Sequence, residues 1–451
     1  MPSDGRPVGR AYAAKWAIGW VAVLSWICAA PIHAGQLDYG VGLSLVHDSN
    51  IGRVEADPQS ELTRVLVGGF FYRENTVDAT ARILAQLERR HYYRQSYSDE
   101  TGGSLDGAGV WTILPRQLAW TVEDVFRELQ VDVTASDTPS NRTRANSFST
   151  GPDITLFGNS VNSAIVGGRY GRFDIENSNA DNRRYSAYAR GRHNLSQRTA
   201  ISVNYEVVRA DFEPGAQAFS RILRADSFGR FENDSPNNNT ILDVGTSRLT
   251  QYGGPPLAPS RLVRLTFAQT LSSQSKFHVS ISDQISDTYS DLIKGVTGTT
   301  APGEEGVALL QGVDFANADI YRSRRGGMAY VNSDRQFRYT LQVYGRHVDL
   351  ETLEDYRESG GRFGWTWTPG AIRFNAFADY TRRRFENLVE DTYRNYGAGV
   401  TYRVSSNVSI SIEGARAERE STVQSNNFVN RQVGLLLGLS SGLLYEARPR
   451  R

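Results

Sequence analysis

A chain of 451 residues with 50 basic against 49 acidic side chains carries a net charge of +1, so no charge imbalance points to nucleic acid as a partner. The single cysteine, Cys28, leaves no disulfide pair and no thiol cluster for a metal. Length and the 42 Gly, 22 Tyr, 19 Phe and 15 Pro fit either several soluble domains or one large closed sheet, and only the pattern along the chain separates these.

The first element reads as a secretory signal over residues 1–34. Arg6, Arg10 and Lys15 precede an apolar run from Ala17 to Ala30, and Pro31-Ile32-His33-Ala34 ends on the small residue that a signal peptidase needs. The run spans 14 residues. A bilayer-crossing helix needs roughly 20. Trp26 and Ile27 are too bulky for a lipid-attachment box, so cleavage is expected near Gly35, taking Cys28 with it.

From Leu37 the pattern changes to strict alternation. Leu37, Tyr39, Val41, Leu43 and Leu45 fall on one face, and Asp38, Gly40, Gly42 and Ser44 on the other. The same alternation returns at Val77 to Gln86, Ile201 to Val207, Arg373 to Tyr380 and Tyr396 to Arg403, and Val433, Leu435, Leu437 and Leu439 supply a last strand before the basic tail. No stretch after residue 35 shows helical spacing. Runs of about ten to fourteen residues exceed the five or six usual in soluble sandwiches and suit tilted strands crossing a bilayer. Such strands must close into a barrel, because an open edge leaves backbone groups unpaired in hydrocarbon.

Connections alternate between tight and long. Tight ones are expected at Glu74-Asn75, Leu114 to Gln117, Gly158 to Ser160, Leu195 to Arg198, Ser272 to Ser275, Asp334-Arg335, Thr368 to Gly370 and Ser405 to Asn407. Nine polar stretches lie between or beside them: Asn50 to Ser60, Gln95 to Thr101, Thr134 to Arg144, Asp174 to Arg183, Asp211 to Ser260, Asp291 to Asn317, Leu350 to Ser359, Asn387 to Thr392 and Ser421 to Asn427. The expectation is an all-β, single antiparallel transmembrane barrel over residues 35–451 with about 18 strands, within a range of 16 to 20, tight turns in the periplasm and long loops outside. Asp211 to Ser260 is read as a loop, because Asn233 to Asn239 is rich in turn formers and Gly253-Gly254-Pro255-Pro256 breaks a strand. The alternative pairs Ile222 to Phe231 with Ile241 to Tyr252 and raises the count to 20.

Catalytic and metal-binding sets do not stand out. His47, His91, His193, His278 and His347 fall on separate expected strands with no ligand spacing, and Gly167-Gly168-Arg169-Tyr170-Gly171 is followed by no helix that could hold a phosphate. The chain is therefore read as a non-enzyme without cofactor or metal. The marked bias is arginine over lysine, 47 to 3. Arg82, Arg190, Arg192, Arg264, Arg338, Arg346, Arg373 and Arg403 fall on polar strand faces and are the candidates for lumen and solute contact. They could instead pair with lumen acids and brace the barrel.

His47-Asp48-Ser49-Asn50-Ile51, just after the leader, resembles the aromatic-Asp-x-Asn-aliphatic opening of the β-barrel porin 2 family. Thr138 to Arg142 and Phe148 to Asp153 are similar to segments of its exopolysaccharide-associated members, although the basic end of this chain departs from the terminal aromatic of many outer-membrane barrels. The resemblance implies an outer-membrane barrel that lets exported polymer pass. Its partners would be outer-membrane lipid and lipopolysaccharide, the barrel-assembly machinery and polysaccharide export components. A membrane-embedded enzyme and a structural or adhesive surface barrel are the alternatives.

Overall fold

A computed structural model describes residues 35–132, 134–176, 181–213, 220–252, 259–297, 320–350 and 354–441. The expected leader, with Cys28, and the basic tail lie outside them. Alternation becomes strands from the first described residues onward: β1 (Gln36–Asp48), β2 (Glu61–Asn75), β3 (Ala79–Tyr92), β4 (Glu100–Leu114) and β5 (Leu118–Gln130). There follow β6 (Arg142–Gly158), β7 (Asn162–Ile175), β8 (Asn182–Asn194), β9 (Thr199–Phe212), β10 (Arg221–Ser235) and β11 (Asn238–Tyr252). Then come β12 (Ser260–Thr270), β13 (Ser275–Asp287), the helix α1 (Thr288–Thr297), β14 (Ile320–Ser333) and β15 (Phe337–Leu350). The chain continues through β16 (Tyr356–Trp367), β17 (Ile372–Phe385), β18 (Glu390–Arg403), β19 (Val408–Ser421) and β20 (Phe428–Ser440).

Every strand pairs antiparallel with its sequence neighbours, and β1 also pairs with β20 from Gly40↔Ser440 to Asp48↔Gln432. The sheet is a closed barrel of 20 strands. Closure satisfies both edges, which is what allows a sheet to sit in lipid. The eight expected tight turns all fall between strands, displaced by a few residues at most. With the described chain ends, they define one rim, the turn rim; the longer connections define the other, the loop rim.

The count of about 18 is corrected to 20, because Asp211 to Ser260 is not a loop: β10 and β11 pair from Arg221↔Tyr252 to Ser235↔Asn238. The turn formers of Asn233 to Asn239 make the tight turn of that hairpin. Alternation was weak here because the outward face of β10 carries Ala225, Ser227 and Gly229, while Ile222 and Phe228 point inward and are buried. A second correction is α1, a helix inside a stretch read as wholly non-helical.

The outer wall is apolar. Leu37, Tyr39, Val41, Leu43, Val203, Tyr396, Val400, Leu435 and Leu437 are all exposed on the protein surface, as side chains facing hydrocarbon are. The other face of the sheet carries Asp48, Thr63, Glu88, Asn204, Asp243 and Glu358, all buried. An even-stranded antiparallel barrel with an apolar outer wall, short turns at one rim and longer connections at the other is an outer-membrane β-barrel.

Candidate pore lining

Which face looks inward is settled by α1. Leu292 packs into a cluster with Val125, Leu129, Ala145, Phe173 and Ile175 from β5, β6 and β7, while Asp291 takes a hydrogen bond from Arg325 of β14 at 2.7 Å. These strands are not neighbours in the sheet, and a helix can touch both only across the interior. Register then places Arg82, Arg190, Arg192, Arg264, Arg338, Arg346, Arg373 and Arg403 on the inward face of their strands. The sequence pattern located the face correctly for all of them.

Their heights differ. Arg82, Arg190, Arg192, Arg338, Arg373 and Arg403 lie within four residues of a strand end at the turn rim, and Arg73 of β2, which the sequence reading passed over, joins them opposite Arg82. The run from Val65 to Tyr72 is apolar or glycine on both faces, so no alternation marked Arg73 as inward. Within four residues of a strand end at this rim, among the described residues, the inward face adds Lys276 and the acids Asp38, Glu232 and Asp234; Arg230 and the acids Glu123, Asp153, Asp243 and Glu413 follow one position further in. Arg192 pairs with Glu232, Arg190 donates to the Asn204 amide at 2.9 Å, and Arg82 lies 5.9 Å from the centre of the Phe71 ring. Positive charge is in excess at this rim.

The other two candidates sit higher and are braced. Arg264 donates to Asp243 at 2.9 Å, beside Arg230 at 2.6 Å from the same carboxylate, and its guanidinium lies 4.8 Å from the centre of the Phe228 ring. Arg346 and Arg383 both hold Glu358, at 3.0 and 2.6 Å, and both lie 5.3 Å from the centre of the Tyr356 ring. Further buried pairs fill this level, including Arg419–Asp391 at 2.7 Å with both side chains fully inaccessible. A carboxylate partner at contact distance is what makes a buried guanidinium tolerable.

α1 is clamped between walls. Asp287, just before the helix, accepts from the Ser290 backbone N–H at 3.0 Å, a capping bond, and pairs with Arg184 at 2.8 Å and Arg224 at 3.5 Å. Arg184 lies 4.4 Å from the centre of the Tyr289 ring. Across the lumen Asp291 accepts from the Tyr321 hydroxyl at 2.8 Å as well as from Arg325. The helix therefore narrows the loop-rim half of the interior.

The motif at His47 to Ile51 also has a structural role. Asp48 accepts from Asn50 N–H at 2.9 Å, Asn430 Nδ2 at 3.1 Å and Gln432 Nε2 at 2.7 Å, tying the first strand to the last. Thr138 to Arg142 forms a short turn in which Arg142 holds Asp137 at 2.8 Å, with Arg53 at 3.8 Å. Burial works to raise the Asp137 carboxyl, but Arg142 and Arg53 outweigh it and hold it below the ordinary value. The histidines remain scattered: His91 bonds Asp99, His193 bonds Asn162, His347 meets Asp349, and His278 is buried in the wall. Among the described residues no group of His, Cys, Asp or Glu could hold a metal ion.

No family model matches the chain, and no curated protein matches it either. Solved structures with a similar fold include a ferric enterobactin receptor (PfeA) mutant from Pseudomonas aeruginosa, at 10% identity and a TM-score of 0.43 over 89% of this chain and 80% of that one. The FrpB iron transporter from Neisseria meningitidis is similar at 10% identity and a TM-score of 0.44 over 89% and 81%. The siderophore receptor PirA from Acinetobacter baumannii is similar at 7% identity and a TM-score of 0.44 over 89% and 80%.

Proposed function

We propose that the barrel is a passive outer-membrane conduit for an anionic solute, exported exopolysaccharide foremost. The observation that carries this reading is the charge imbalance at the turn rim, where, within four residues of the strand ends, seven inward arginines and Lys276 stand against three acids among the described residues. Guanidinium groups keep their charge at any physiological pH and fork onto carboxylates and phosphates, so a ring of them raises the local concentration of anions at the periplasmic entrance. α1 and the paired charges above it would then form the narrow section that a solute passes.

The test is ion selectivity in a planar bilayer. Wild type is expected to show a reversal potential of the sign for anions in a salt gradient, and Arg82→Gln, Arg338→Gln, Arg373→Gln and Arg403→Gln combined should reduce it. Raising salt to 1 M should also reduce it, since the Debye length falls to about 3 Å. A wild-type channel without charge preference would overturn the anion reading. Normal polymer secretion from a deletion strain would remove exopolysaccharide as the solute. A structural barrel is the second reading, favoured by the braced arginines and the clamped helix, and absence of any conductance would select it.

A further inference from the structure

The outward face carries a second arginine system, independent of the lumen and of whatever passes through it. At the turn rim, the outward face of the described strands holds aromatic and aliphatic side chains such as Trp111, Trp120 and Tyr402, and no arginine within four residues of a strand end. Toward the loop rim the same face becomes basic. Register places Arg172 of β7 beside Arg183 of β8, then Asp211 of β9, Arg221 of β10 and Tyr252 of β11, in one row across five strands. One step nearer the membrane centre, Tyr185 stands beside Arg209.

Within this row one carboxylate serves two guanidiniums. Asp211 is 2.8 Å from Arg209 and 2.6 Å from Arg221, and those arginine side chains remain 44% and 41% exposed. Arg221 lies 5.5 Å from the centre of the Tyr252 ring and Arg209 6.0 Å from that of Tyr185. The carboxylate and rings fix the direction of both guanidiniums, and the fork keeps a net positive charge with donors unspent. The same fork recurs around the barrel: Asp283 holds Arg322 at 2.9 Å and also Arg261, and Glu390 holds Arg384 at 2.7 Å and also Arg382. All three lie on the outward face near the loop rim.

We infer that this belt binds the phosphate groups of anionic lipid in the outer leaflet, with the Arg209–Asp211–Arg221 fork and its two tyrosines as the best-formed site. Position selects a lipid over a free anion. The fork sits directly above the apolar wall, where a headgroup phosphate and its acyl chains can be engaged together. Geometry suits phosphate, because paired guanidiniums donate to its oxygens in parallel. A belt at one rim and aromatic residues at the other also match a membrane whose two leaflets differ in charge.

The experiment uses the purified, folded barrel in neutral detergent and two probes, bisphosphorylated lipid A and the same lipid with its phosphates removed. Wild type should bind the phosphorylated probe about tenfold more tightly, a difference of 1.4 kcal/mol. Arg209→Gln with Arg221→Gln should abolish that preference, and the charge-keeping pair Arg209→Lys with Arg221→Lys should retain part of it. Equal binding of both probes by wild type would overturn the inference, as would an unchanged preference in the folded Gln variant. If the Gln variant does not fold, the Lys pair and wild type in 1 M salt carry the test, and a preference undiminished in both sinks the proposal. Competition by inorganic phosphate at the same concentration as by lipid would mark a free-anion site and reject the lipid.

Discussion

Asp48 shows how a single buried side chain can hold a barrel closed. Its carboxylate accepts three bonds from Asn50, Asn430 and Gln432, and it is 3% exposed, so removing it strands several donors away from water. Asp48→Ala is expected to cost about 1–3 kcal/mol, the penalty of buried groups left unmade. His47 points outward beside it, and His47→Ala should stay within about 0.5 kcal/mol. Urea unfolding of both variants in lipid vesicles checks this. Equal effects would mean that the Asp48 network does not tie the seam.

At the scale of elements, α1 and the β10–β11 hairpin are the two that departed from expectation. α1 has ten residues, too few to be stable alone, and its place depends on the capping bond, Leu292 burial and arginines from both walls. Replacing Asp287 and Asp291 together with Asn removes the carboxylates that hold Arg184 and Arg325 and one of the two that face Arg224, and losing one partner of a buried pair costs about 3–5 kcal/mol. The strand ladders around the barrel do not depend on these pairs. The helix is therefore expected to leave its seat while the barrel persists, raising single-channel conductance. Unchanged conductance with intact barrel folding would show that α1 does not narrow the path.

For the whole molecule, depth in the membrane should govern tolerance of charge on the outer wall. Leu435 lies outward in the apolar section of β20, whereas Val429 lies outward one residue from its loop-rim end, near Arg431. Leu435→Arg should destabilise the barrel by about 2–4 kcal/mol and Val429→Arg by about 0–1 kcal/mol, since the cost falls from midplane to interface. Reversible unfolding in vesicles measures both. Similar costs would mean that the apolar wall and the arginine belt do not mark the membrane boundaries.

Period-two alternation, turn residues and the absence of helical spacing determined most of this protein from sequence alone. Side-chain direction repeats every two residues in a strand, so the lipid face, the lumen face and the inward aim of all eight candidate arginines were legible in Leu37 to Leu45, Phe374 to Tyr380 and their counterparts. The hairpin of β10 and β11 was not, because small outward and apolar inward residues blurred its alternation. Nor was α1, whose few apolar positions find partners only on strands distant in the chain. Pairing was beyond the sequence for the same reason. Nothing local tells Arg346 that Glu358 and Arg383 will meet it, or separates it from Arg403 at the rim. Those distances exist only once the sheet has closed and set the height of every strand, which decides where arginine braces the wall and where it faces the entrance.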